Sequence, residues 1–261
     1  MRVLFRTLSM LVLGIGLLAA ESITVYSARH YGGDTDLFGA FTEATGIEVQ
    51  VLEAKGSALL ARIQHEGANC PADVLLTVDA GRLGAAADAG IFQPVRSERL
   101  EEHIPADWRH PLGHWFGYGK RARVVVYHPE RVDPSRISTY RDLADERFRG
   151  RLVVRSSSNI YNQSLLAAMI ARHGVAAAEA WAAGIVANMA RPPQGNDRAQ
   201  IKAVAAGEAD VAIVNHYYHA KMLESDDPEQ IAAAKAVAVH FPGQEDGSGA
   251  HLNISGAGLL T

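Results

Sequence analysis

A single cysteine, Cys70 in the stretch GANCPAD, is the only thiol in the chain, so no internal disulfide can form and stability must come from a packed core. Cys70 itself reads as a small buried hydrophobe. Catalytic signatures are equally scarce. There is no G-x-S-x-G, no H-E-x-x-H, no paired C-x-x-C, no G-x-x-x-x-G-K-[ST] and no G-x-G-x-x-G after a strand. The common hydrolase, zinc-protease and nucleotide-binding chemistries have no support, and no enzymatic activity is expected.

Basic charge is also in the minority. Setting aside Arg2 and Arg6 leaves 23 basic against 29 acidic residues, a net charge of -6. A nucleic-acid partner is not expected of such a surface. Long apolar runs are limited to one, Leu8 to Ala20, which is too short to span a bilayer. With two arginines before it and small residues before Glu21, residues 1–20 read as a cleavable export signal, and the mature chain is expected in the periplasm. The arginines are not adjacent, so the twin-arginine route is not indicated.

What remains is ordinary globular material, 48% hydrophobic and 21% charged. SITVYSA alternates like a strand, DLFGAFTEATG has Leu37, Phe38 and Phe41 on one helical face, and IEVQVLE reads as the next strand. SALLARIQHEG and AGRLGAAADAG read as helices stopped by Gly67 and Gly90, with the strand ADVLLTVD between them. The same β-α beat returns from GRLVVRSSS through two helices, 159–174 and 175–189, to the helix and strand in RAQIKAVAAGEADVAIVN. Two α/β units are expected: residues 21–120, rejoined by 243–261, and residues 121–242. The VVVY run in GYGKRARVVVYHPERVDPS predicts a strand crossing between them, and AVAVHFPG is a candidate for the second crossing.

Tyrosines fall where an open α/β sheet places its ligands, beyond the carboxyl ends of strands. Tyr31 follows ITVYSA, Tyr161 follows RLVV, and Tyr217 with Tyr218 follows DVAIV. Adjacent helical residues point about 100° apart, so Tyr217 and Tyr218 share a target only from a loop or a first turn. Aromatic packing at a cleft is the simpler explanation on spacing alone. Charge separates the two. Ionising a phenol of pKa about 10 at pH 7 costs roughly 4 kcal/mol, and four phenols roughly 16. Only a strongly Lewis-acidic ion offsets that, and hard anionic oxygens suit ferric iron better than zinc or copper. The histidines give no such set, since His216 and His219 stand close at helical spacing but lack a third ligand. Ser156 to Asn159 reads as helix-capping and turn residues.

Beyond these patterns the sequence resembles the ferric-ion-binding substrate-binding proteins of ABC transporters, in their FutA-like, tyrosine-rich branch. The matching stretches are VYSARHYGGDTDLFGAFTEATGI, GSALLARIQHEG, GYGKRARVVVYHP, SSSNIYNQSLLAAMI, NHYYHAKML and HLNISGAG. The resemblance implies a two-lobed periplasmic-binding-protein fold of type II with a hinge, ferric iron as cargo, and delivery to a membrane permease by a monomeric chain. It implies Tyr31, Tyr161, Tyr217 and Tyr218 as ligands, with His30 as a further candidate and Arg121 behind them to offset phenolate charge. Arg123 is the alternative if the register slips by two. A synergistic anion such as carbonate is a further candidate for the shell. Tyr26, Tyr118, Tyr127 and Tyr140 read as structural. Relatives of this kind continue beyond HLNISGAG whereas this sequence stops at Thr261, so helices that pack on both lobes are expected to be missing and an apolar patch exposed. The other reading of the same architecture is a binding protein for an organic solute such as a polyamine or thiamine, with the tyrosines stacking on it.

Overall fold

The computed structural model describes residues 21–29, 32–244 and 247–261. The first α/β unit runs β1 (Ser22–Ser27), α1 (Gly32–Thr45), β2 (Glu48–Glu53), α2 (Gly56–Glu66), β3 (Val74–Val78), α3 (Ala80–Asp88) and α4 (Glu98–His103). β1 pairs in parallel with both β2 and β3, as the alternating sequence and intervening helices require. The long strand β4 (Phe116–Tyr127) then leads into a second unit. That unit comprises β5 (Leu152–Val153), α5 (Ile160–His173), α6 (Val175–Ala187), α7 (Asp197–Ala205), β6 (Val211–Asn215), α8 (His216–Leu223), α9 (Pro228–Lys235) and β7 (Ala238–His240). β8 (Leu252–Leu259) completes the order.

The strands follow one path, β2-β1-β3-β8-β4-β6-β5, with β7 also on β4. β4 pairs antiparallel with β8 along Phe116–Ala122 and with β6 along Arg123–Tyr127, so it changes partners near its middle. β8 pairs antiparallel with β3 along its other edge. β4 and β8 are therefore the two strands that join the units. AVAVHFPG does not provide that second join: its strand has three residues, pairs only with Val125–Tyr127 of β4, and gives way to Pro242, which lacks an N–H for a ladder. Gly256 lets β8 lie close on β4, because a Cβ there would sit 2.6 Å from the Phe116 carbonyl oxygen.

Three apolar cores follow this layout. Tyr26, Leu59, Leu75, Leu83, Phe92 and Ile254 pack in the first unit. In the second, successive residues of β4 and β6 face opposite sides, as a strand buried on both faces requires. Val125 and Ile213 join Phe148, Leu165, Met169 and Trp181 on one side, while Val124 and Val214 join Ile201, Val204 and Met222 on the other. Two helices fall outside the expected elements although their caps are legible: Ser97 caps α4, and Asp227 with Pro228 starts α9. Among the described residues no helix is long and apolar enough to cross a membrane, and the expected signal segment lies outside them.

Candidate metal site

Three of the four candidate tyrosines stand in the first turns of helices, α5 after a six-residue loop from β5 and α8 directly after β6. Tyr161 is the second residue of α5, whose cap Asn159 accepts the Tyr161 N–H at 3.0 Å. Tyr217 and Tyr218 are the second and third residues of α8, immediately after β6. Their ring centroids are 4.3 Å apart with planes inclined by 32°, so the two half-buried phenols form one aromatic pair. Tyr218 also packs against the core of Ile201, Val204 and Met222.

Tyr31 and His30 lie outside the described residues. Their flanks are described. Arg29 bonds Asp34 at 2.9 Å and lies 5.3 Å from the Tyr118 ring centroid. Burial, with Arg198 and Arg29 adding, lowers the Lys221 ammonium pKa, and Asp34 opposes them.

The surroundings of Tyr161 are cationic. The guanidinium carbons of Arg121, Arg155 and Arg123 lie 5.0, 5.4 and 5.9 Å from its ring centroid. Sequence reasoning offered Arg121 with Arg123 as its alternative, and residues two apart on β4 bring both to the same ring. Arg123 is anchored by Asp197 at 3.2 Å and by Asn162 at 2.6 Å. Arg155 reaches the other oxygen of Asp197 at 3.3 Å, and the buried N–H of Asn215 donates to Asp197 as well. Arg121 is held by Asp79 at 3.2 Å and by the Ile254 carbonyl at 2.9 Å. Three guanidiniums against two carboxylates leave one surplus positive charge beside Tyr161, and Arg198 adds a cation 5.1 Å from the Tyr218 ring.

Asp79, Asp197, Arg155 and Ser164 had no role in the sequence reading. Asp197 was accessible in principle as a helix-opening acid after Asn196, but its arginine partners lie 42 and 74 residues away. Asp79 carried no local signal for its partners on β4, α5 and β8.

The histidines beside the tyrosine pair have other partners: His216 Nδ1 accepts the Ala122 N–H at 3.1 Å, and His219 Nε2 lies 3.0 Å from the Ala234 carbonyl. Among the described residues no group of three or more His, Cys, Asp and Glu is placed to hold a metal. Of the tyrosines set aside as structural, Tyr26 and Tyr140 are buried and have their phenols pushed up, chiefly by that burial, Tyr140 to about 12. Burial makes them poor phenolates. A cavity of about 1240 Å³ is lined by Leu165, Met169, Trp181 and residues 248–252, and not by Tyr161, Tyr217 or Tyr218.

The family described as bacterial extracellular solute-binding protein matches residues 69–248. Iron uptake protein A1 of Synechocystis sp. is 53% identical over 240 residues, which are 92% of this chain and 66% of that protein. The Fe(3+)-binding periplasmic protein of Serratia marcescens is 28% identical over 256 residues, 97% of this chain and 73% of that protein. Among solved structures, Trichodesmium FutA (IdiA) in complex with iron and citrate superposes with a TM-score of 0.88 at 53% identity, covering 92% of this chain and 76% of that one. The chain spans about two thirds of the length of the Synechocystis relative.

Proposed function

The chain belongs to the bacterial extracellular solute-binding proteins, and on that premise we propose that it captures ferric iron in the periplasm and presents it to an ABC-transporter permease. Tyr31, Tyr161, Tyr217 and Tyr218 are the phenolate ligands, with His30 a further candidate beside Tyr31. Residues 21–120 with 243–261 form one lobe and residues 121–242 the other, so the first lobe supplies Tyr31 and the second the remaining three. Binding draws the lobes together about β4 and β8.

The observation that carries this reading is the trio of guanidiniums facing Tyr161 at 5.0–5.9 Å. Four phenolates around a trivalent ion leave a net charge of about -1, which a single surplus positive charge balances in a half-buried site. An anion that completes the shell, carbonate among the candidates, would draw on the additional cation of Arg198, 5.1 Å from the Tyr218 ring. Reduction to the ferrous state, or protonation of the phenolates, weakens the site and supplies the route to release. The relatives, an iron uptake protein and an Fe(3+)-binding periplasmic protein, support the same cargo.

Addition of ferric citrate to the purified protein tests the proposal. A visible phenolate-to-iron charge-transfer band is expected, weakened stepwise by Tyr217→Phe and Tyr218→Phe. A colourless protein overturns it.

A further inference from the structure

We propose that Asp79 and Ser164 form a latch that holds the two lobes together beside Tyr161 and slows release of the bound metal; the inference rests on the ferric reading above. Asp79 follows β3 and caps α3, within the unit that packs around Leu75 and Leu83. Ser164 lies on α5, whose next residue Leu165 belongs to the core of the other unit. The Ser164 hydroxyl donates to Asp79 Oδ1 at 2.5 Å across 85 residues of sequence. Ser164 is three residues beyond Tyr161, on the same helical face, so the bond is made one turn from a proposed ligand.

The acceptor is built before Ser164 arrives. Asp79 Oδ1 also takes the Gly81 N–H at 3.1 Å, and Oδ2 takes Asn253 Nδ2 at 2.9 Å and Arg121 Nη2 at 3.2 Å. The Gly81 and Asn253 donors come from Asp79's own lobe and remain when the lobes part, while Arg121 reaches it from the joining strand β4. The Ser164 hydroxyl is the donor that comes from a helix of the far lobe. Asp79 is fully buried and has φ 87°, the sole non-glycine with positive φ among the described residues. An L-residue keeps that conformation only where its surroundings over-determine it, and such strain clusters at clamps and switches. Glycine would relax the backbone there but remove the carboxylate that four donors share. Arg121 links the latch to the metal, because one guanidinium touches Asp79 and faces the Tyr161 ring at 5.0 Å. Asp79 is thus a positioning residue that acts on the metal through lobe closure and Arg121.

The test uses the full chain with Ser164→Ala and the conservative Ser164→Thr, which keeps a hydroxyl. In the iron-loaded protein S164A should leave the charge-transfer maximum in place, since no ligand is changed, and speed iron loss to EDTA about tenfold, as expected for losing a hydrogen bond to a charged group. X-ray scattering should show a larger radius of gyration for metal-free S164A than for the wild type, and S164T should restore both properties. An S164A chain as compact as the wild type overturns the latch whatever its release rate, and so does a wild-type release rate from a coloured S164A protein. If the wild type takes no colour, the ferric reading fails by itself, and the scattering comparison still decides the latch.

Discussion

Arg121 and Arg123 stand two residues apart on one strand, each buried and each paired with a fully buried aspartate at 3.2 Å. They nevertheless do different things. The Arg123 pair is internal to the second unit: Asp197 opens α7, and Asn162, Asn215 and Arg155 all come from that unit. The Arg121 pair reaches into the first unit, to an aspartate that also receives a side chain from α5. A tie within one core holds whatever the molecule's posture, whereas a tie across two cores contributes only in the postures that keep it. The same residue types at the same distances can therefore be cement in one place and a movable joint in the other.

Removing the acid of the internal pair should have the largest effect. Asp197→Ala strands Arg123 and Arg155 without their carboxylate in a sealed site, and a loss of about 3–5 kcal/mol is expected in urea unfolding of the metal-free chain. If Asp197→Ala instead changed iron release and left stability intact, the division between the two pairs would fail. Next in size, the Tyr217→Phe, Tyr218→Phe double variant should lower ferric affinity at least about a hundredfold, near 2.7 kcal/mol, with an unchanged unfolding midpoint. Competition against citrate measures it, and it separates the ligand pair from the arginine framework that it leaves untouched.

Tyr140→Phe probes the tie between β4 and the segment that leads into β8. The phenol donates to the Arg123 carbonyl at 2.6 Å and accepts the His251 N–H at 2.9 Å, so its loss should cost about 1–2 kcal/mol of unfolding free energy. The smallest effect is a pH dependence. Burial, opposed by Asp79 and reinforced by Arg123 and Arg121, pushes the His251 pKa down to about 4. An unfolded histidine titrates near 6.5, so His251 contributes stability in full above that pH and loses it as pH falls toward about 4. Between pH 7 and 6 the wild type should lose somewhat under about 1 kcal/mol more than His251→Gln, read from paired denaturation curves.

Much of this architecture was legible because it is written locally. Alternation in SITVYSA and IEVQVLE, glycines closing α2 and α3, and tyrosines following strand segments all sit within a few residues of the features they produce. The placement of Tyr217 and Tyr218 in the first turn of α8 follows from the strand before them. The arginine anchors escaped because their chemistry is long-range: Arg121 meets an aspartate 42 residues away and Arg123 one 74 residues away. Ser164 looks like any helical serine until Asp79, 85 residues earlier, is brought beneath it. The choice between AVAVHFPG and HLNISGAG as the second joining strand turned on the same point, since strand character is local but the identity of a strand's neighbours is not.

The position of β8 has a consequence for how the molecule assembles. It lies between β3 and β4 in space yet follows both in sequence, so that Asn253 bonds Ala80 across 173 residues. Until that late segment arrives, β3 and the first half of β4 present bare edges with unmet amide and carbonyl groups, which other chains can pair with. Closing so wide a gap in sequence is slow. The first unit, though earliest in the sequence, is completed by one of the last segments of the sheet, so any chain in which β8 is not yet in place leaves two edges open to pairing with another copy.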